Sequence, residues 1–252
     1  MTQPVEDLRH LGPALEREQI LLTVDEVLTR RSEPHRFWEL RTARIVTAEG
    51  YRYLSGVGTT FLQQVLAIVL LALGTQRALL LIADGARWIR TFFTEMLARI
   101  PNKTLILDWY HLHQKCRELS SRICRGKQAK RWLLLRLYRR LWRGDVAAAI
   151  ALLEAERPQT RNTEVLDTFI AYLQLRQQWI PNYRQRRIDQ LYIGSGHVEK
   201  ANDLIIARRQ KGRGMQWSLE TSDALAALRT LLLNGGWERY WQQRQILPLV
   251  AT

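Results

Sequence analysis

Three short apolar runs stand out along the chain: Ile20 to Val24 (ILLTV), Leu79 to Ala83 (LLLIA) and Thr104 to Leu107 (TLIL). Runs of this length, followed at once by polar residues, favour buried strands over helix. Between the first two, Phe37 to Leu54 is rich in β-formers and turns at Ala48-Glu49-Gly50, which predicts a hairpin. A helix from Thr60 to Leu73 then leads into the second run. From Arg125 to Arg143, Trp132, Leu133, Leu135, Leu137, Leu141 and Trp142 recur among eight Lys/Arg at helical spacing. Ala147 to Leu153 and Val165 to Trp179 are amphipathic in the same way, with Pro158 and Pro181 as punctuation. The loop Gly194-Ser195-Gly196 opens the last third, and a long helix is expected after it. The order is strand, hairpin, helix, strand, helix, strand, a helical block, then helix. It predicts an α/β fold, a core interrupted by an all-α insertion. Residues 1–108 hold the first part of the core, 109–191 the insertion, and 192–252 the remaining helical part.

Composition narrows the class. With 252 residues, 46% hydrophobic and 25% charged, the chain is neither disordered, collagen-like nor a coiled coil. It is long enough to bury a sizeable core without disulfides. Its two cysteines, Cys116 and Cys124, suit a reducing, cytoplasmic setting rather than a disulfide framework. Residues 1–19 carry Glu6, Asp7, Glu16 and Glu18 and lack the apolar run of a secretory signal. Tyr53 to Gln76 is free of charge, but its strongly apolar part is only Val65 to Leu73. A spanning helix needs about 20 predominantly apolar residues, so a core helix is expected and no membrane partner.

Charge changes the picture more. The net charge is +14, and a basic excess of this size points to a polyanionic partner such as nucleic acid. Residues 109–191 hold 17 basic and 7 acidic residues, whereas 1–108 hold 13 and 12. Lys130, Arg131, Arg139 and Arg140 are the candidate phosphate contacts of this block; the alternative is a solvated helical face. Each apolar run is also followed directly by a carboxylate: Asp25, Asp84 and Asp108. In α/β sheets ligands gather beyond the carboxyl ends of strands. Carboxylates clustered there repel one another unless a cation neutralises them. Hard divalent ions take oxygen ligands, and a basic protein bearing such a set invites metal-assisted phosphodiester chemistry. An aspartate in such a place also serves as a helix or turn cap.

The segments Thr23-Val24-Asp25-Glu26-Val27, Ala83-Asp84-Gly85-Ala86-Arg87-Trp88-Ile89 and Ile193-Gly194-Ser195-Gly196-His197-Val198-Glu199 resemble the three acidic blocks of DDE transposases. The match is to bacterial insertion-sequence transposases of the Kra type, similar to the Mutator-like group, and covers about residues 20–220. The resemblance implies an RNase H-like mixed sheet with Asp25 on the first strand, Asp84 after the fourth and Glu199 on the helix beyond the insertion. It implies that these three residues are catalytic and hold two divalent ions, Mg²⁺ or Mn²⁺. The implied activity is DNA cleavage and strand transfer, with transposon ends and target DNA as partners and a homo-oligomer as the active form. Asp108-Trp109-Tyr110-His111 resembles the Asp-x-x-His signature after the fifth strand; a structural hydrogen bond between Asp108 and His111 is expected, and a metal role for Asp108, which also ends a strand, is the alternative.

Two further segments carry candidate chemistry. Arg208, Arg209, Lys211 and Arg213, with Gly212, Gly214 and Trp217, combine phosphate-neutralising cations, close backbone approach and a ring able to stack on a base. The segment also resembles the block that follows the catalytic glutamate, so DNA contact is expected there; a glycine-capped helix end is the alternative. His111, His113, Cys116 and Cys124 lack the paired spacing of zinc ribbons or fingers, so no zinc site is expected. The first acidic strand begins near residue 20, whereas related transposases carry an amino-terminal domain that reads the terminal repeats. The expectations that follow are a truncated copy, a separately encoded half, or a domesticated DNA-binding remnant that cuts poorly.

Overall fold

The computed structural model describes residues 19–32, 36–47, 50–73 and 78–243. The charged opening segment, Ala48 and Glu49 of the expected turn, and residues 74–76 of the charge-free stretch lie outside these. The protein is α/β, with a five-stranded mixed sheet of order β3-β2-β1-β4-β5. The strands are β1 (Gln19–Arg30), β2 (Phe37–Thr47), β3 (Gly50–Gly56), β4 (Ala78–Ala83) and β5 (Lys103–Leu107). Described residues up to Leu81, Arg87–Thr104 and those from Ser195 onward form one compact unit; Ile82–Ala86 and Leu105–Gly194 form another.

In the first unit, β1, β2 and β3 run antiparallel. Ile20 to Val24 are buried without a break, as the apolar run requires. The strand does not stop at Asp25, however. It continues to Arg30, paired with β2 as far as Phe37, and Asp25 stands opposite Thr42 within the ladder. Alternation explains the extension: Val27 faces the core cluster and Thr29 is buried, while Leu28 and Arg30 are exposed. Helix α1 (Gly58–Leu73) buries Phe61, Val65, Ile68 and Val69, one stripe at helical spacing. No helix among the described residues is long and apolar enough to cross a membrane. A short helix α2 (Arg87–Thr91) continues into the π turn Phe92–Met96.

The expected long helix after Gly196 is broken into pieces. Helix α8 (Gly196–Asn202) passes into a π turn, Asp203–Ala207, and a last turn, Arg208–Gln210. The wider turn brings Ile205 and Ile206, adjacent in sequence, into the same buried cluster with Leu40, Ala201 and Ala226. Helix α9 (Leu219–Leu233) starts where the Ser218 side chain accepts the Thr221 N–H, and α10 (Trp237–Gln243) follows it. Asn234 clips the end of α9 to β3, accepting from the Tyr53 N–H at 2.9 Å and donating to its carbonyl at 2.8 Å.

The second unit beyond β5 contains only helices: α3 (Trp109–Ile123), α4 (Lys127–Leu141), α5 (Val146–Ala155), α6 (Thr163–Arg176) and α7 (Tyr183–Ile188). Side-chain oxygens of Asp108, Asp145, Asn162 and Asn182 cap α3, α5, α6 and α7. Leu112, Cys116 and Leu119 of α3, Leu133, Leu137 and Leu141 of α4, and Leu166, Ile170 and Leu173 of α6 are buried at i, i+3 or i+4. Tyr183 is fully buried and donates its hydroxyl to the Leu107 carbonyl at 2.8 Å, which fixes α7 against the end of β5.

Candidate functional site

The three acidic blocks fall on both units. Asp25 and Glu199 belong to the first, Asp84 to the second together with Asp108 and His111. Asp108, His111 and Glu199 each offer an atom able to ligate a metal ion.

Within the first unit, Asp25 projects from β1 on the face shared by Thr23 and, across the ladder, Thr42 and Arg44. Its Oδ1 accepts the Glu26 N–H at 2.8 Å, and its Oδ2 accepts Asn202 Nδ2 at 2.7 Å. These two bonds fix the orientation of the Asp25 carboxylate. Asn202 is the last residue of α8, one turn beyond Glu199, and α8 lies against β1 and β2. Glu199 is exposed in the first turn of that helix, where the dipole favours a negative charge. Ser195 precedes the helix as its N-cap residue, and its carbonyl accepts from Val198 at 2.8 Å and Glu199 at 3.3 Å. The bond from Asn202 therefore links the helix of the third acidic block to the strand of the first.

The layer beside Asp25 is polar and buried. Thr42 Oγ1, Arg44 Nε and Nη1, and Asn202 Oδ1 are buried without hydrogen-bond partners. Arg44 lies over the Tyr51 ring at 4.9 Å. Burial, and then Arg44, hold the His197 imidazole below its ordinary pKa. Glu26, next to Asp25, accepts the Trp88 indole N–H, and Arg41 stacks over the Trp88 ring at 4.4 Å. Trp88 belongs to the second acidic block, so its indole reaches the first block inside this unit.

In the second unit, Asp84 accepts the Ala86 N–H at 2.8 Å in the turn after β4, where Gly85 takes φ +74°. Arg176 donates to the Gly85 carbonyl at 2.9 Å and holds this turn against α6. Asp108 is fully buried. Its Oδ1 takes the Tyr110 N–H at 2.6 Å and the His111 N–H at 3.4 Å, and its Oδ2 lies 3.4 Å from His111 Nδ1. Asp108 thus caps α3 and meets His111.

The basic candidates divide by exposure. Arg131, Arg139, Arg208, Arg209, Lys211 and Arg213 are exposed. Lys130 and Arg140 are half-buried, donating to the Ser121 hydroxyl and, at 3.0 Å, to the Arg136 carbonyl. Arg208 pairs with Asp203 at 2.8 Å. Trp217 is half-buried, and its polar groups serve the fold. Its indole donates to the Gln210 carbonyl at 2.9 Å, its N–H to Arg30, and its carbonyl accepts from the Trp38 indole at 2.9 Å.

The two thiols have no role in a metal-type cluster among the described residues. Cys116 sits in the helical core, and burial pushes its pKa up to about 12. His113 stacks on Tyr138, ring centroids 4.2 Å apart and planes 18° from parallel. Sequence reasoning missed Asn202 and Trp88, each of which bonds to the strand of the first acidic block or its neighbour. Asn202 is three residues past Glu199, the spacing that places two side chains on one helix face, and that was the available signal. No protein-family model matches the chain, and no curated protein shows significant similarity to it.

Proposed function

We propose that the chain is the RNase H-like catalytic domain of a DDE transposase, cutting DNA phosphodiesters and joining the freed ends to target DNA. The observation that carries the reading is the 2.7 Å bond from Asn202 to Asp25, which ties the helix carrying the third acidic block to the strand of the first over 177 residues of sequence. Element order supports it as well. Asp25 lies on β1, Asp84 after β4, Asp108 and His111 after β5, and Glu199 on the helix beyond the helical block. These are the stations the transposase resemblance implies.

In this reading Asp25, Asp84 and Glu199 hold two divalent ions, and their oxygen donors suit Mg²⁺ or Mn²⁺. Bound there, the ions supply an activated water and relieve charge at the leaving oxygen. The chain's own contribution is to hold the carboxylates ready: Asn202 and the Glu26 N–H fix Asp25, and the Ala86 N–H fixes Asp84. The basic helical block grips the phosphate backbone.

The test is nicking and strand transfer on a supercoiled plasmid carrying the DNA that flanks the gene, with and without Mg²⁺ or Mn²⁺. Metal-dependent nicks that Asp25→Asn abolishes are the expected result. Tight DNA binding with no cleavage under either metal would overturn the catalytic reading and leave a DNA-binding remnant.

A further inference from the structure

Helices α3 and α4, both in the second unit, flank an open, shallow cleft of about 540 Å³ whose wall includes Tyr110, His113, Arg117 and Lys130. A second hollow of about 320 Å³ shares Lys130 and adds Arg131 and Tyr138. Five side chains give the cleft and the hollow beside it their chemistry. Arg117, Lys130 and Arg131 are cationic, and Glu118 is the single carboxylate on its wall, hydrogen-bonded to Gln114 at 3.0 Å. Tyr110 is a large aromatic left 57% exposed. Its ring is seated rather than free. A Cβ built on Gly194 would fall 2.6 Å from the ring, so the tyrosine lies against a backbone bare of side chain. One surface of the ring rests on the Gly194 backbone and much of the rest is open. The His113–Tyr138 stack, with His113 on the cleft wall and Tyr138 on that of the second hollow, forms a second aromatic surface, tied by the Tyr138 hydroxyl donating to the His113 carbonyl at 3.3 Å.

We propose that this cleft binds an unpaired nucleotide of single-stranded DNA, with the base on Tyr110 and the flanking phosphates against Arg117, Lys130 and Arg131. Proteins that hold single strands combine cations along the backbone path with aromatic rings on which bases stack. Both are present here, in a cleft of the size that takes a small organic ligand and in the hollow that shares Lys130 with it. Duplex DNA buries its base faces, so a ring presented within a cleft gains nothing from it. An acidic peptide would match the cations but leave the Tyr110 ring unused. The inference goes beyond the catalytic reading and does not need it, because binding here requires neither the carboxylates nor a metal.

The experiment is fluorescence anisotropy with labelled oligo-dT in EDTA at low salt, repeated with a blunt duplex of equal length. Tyr110→Ala is expected to weaken oligo-dT binding about tenfold, the scale of one lost base stack. The same variant should leave duplex binding within twofold, and Tyr110→Phe should restore the single-strand affinity. A measurement on the unaltered protein guards against misfolding of the variant: a 2-aminopurine within the oligo-dT should lose fluorescence on binding as it stacks. Equal affinity of Tyr110→Ala and wild type for oligo-dT overturns the proposal. So do an unquenched 2-aminopurine and displacement of oligo-dT by poly-glutamate as effective as by unlabelled strand. Because EDTA silences the metal chemistry, failure here is separate from failure of the nicking assay.

Discussion

Asn202 donates from Nδ2 to Oδ2 of Asp25 at 2.7 Å, and its own Oδ1 is buried beside that carboxylate without a partner. A hydrogen bond to a charged acceptor contributes about 1.5–3 kcal/mol; Asp25 is half-buried, so the lower end applies. Asn202→Ala should cost about 1–2 kcal/mol in urea unfolding. Cleavage by the variant should need more Mg²⁺ for half-maximal rate and recover when it is supplied, since Asp25 keeps its charge. An Mg²⁺ dependence identical to wild type would reduce Asn202 to a packing group.

Asp84→Asn isolates charge from shape. The Ala86 N–H that Asp84 accepts at 2.8 Å can be accepted equally by an asparagine oxygen, so unfolding should shift by no more than about 0.5 kcal/mol. Metal-dependent cleavage should disappear while DNA affinity stays within a few fold. Equal cleavage by variant and wild type in Mg²⁺ would remove Asp84 from the reaction.

Strands β1, β4 and β5 were legible because each holds an uninterrupted apolar stretch that only a buried position accommodates, whereas β2 and β3 showed only as β-forming residues around a turn. What followed Val24 was not legible. Asp25 and Glu26 look like a strand end, yet the antiparallel partner carries β1 on to Arg30, and only tertiary pairing decides that. The helix after Gly196 was expected whole because its apolar pattern is continuous; the π turn at Asp203–Ala207 arises from packing Ile205 and Ile206 together. The acidic residues were visible as types and spacings. The bond between residues 25 and 202, and the cleft that unites Tyr110 with Lys130, depend on how distant elements meet, which no local pattern encodes.

Cysteine chemistry tests the helical core. Burial pushes the Cys116 thiol up to about 12, so almost no thiolate exists at pH 8. Cys124 is half-buried at the end of α3, and its pKa is raised first by burial and then by Glu156. Iodoacetamide at pH 8 should label Cys124 slowly and Cys116 only after urea unfolding, as peptide mapping would show. Rapid labelling of Cys116 in the native protein would contradict this core.

His113 predicts a pH trend. Burial, followed by the neighbouring Arg117, lowers its folded pKa below the usual 6.5. The unfolded chain therefore binds the proton more readily. The histidine's contribution is complete above pH 6.5 and is lost as pH falls through 6.5 towards the folded value. Wild type should lose more stability between pH 7 and pH 5 than His113→Gln. His197, lowered in the same direction, is present in both proteins and cancels in the comparison. Parallel stability curves for the two proteins would mean that His113 does not titrate differently on folding.

The basic block sets the final prediction. Residues 109–191 carry net +10, and duplex DNA bears one phosphate charge per about 1.7 Å of axis, so a helical face can meet several phosphates. Each contact releases counterions and adds about 0.9 to the log–log salt slope. Exposure sorts the four candidates: Arg131 and Arg139 project into solvent, whereas Lys130 and Arg140 are half-buried and already donate within the protein. Arg131→Gln with Arg139→Gln should thus flatten the slope by nearly two contacts' worth, roughly 1.8. Adding Lys130→Gln and Arg140→Gln should flatten it less than the first pair did. Affinity should fall alike for all duplex sequences, because phosphate contacts carry no direct base information. If the cations serve only to keep the helices soluble, the fourfold variant will keep the wild-type slope between low and moderate salt, and the block is then not the DNA grip.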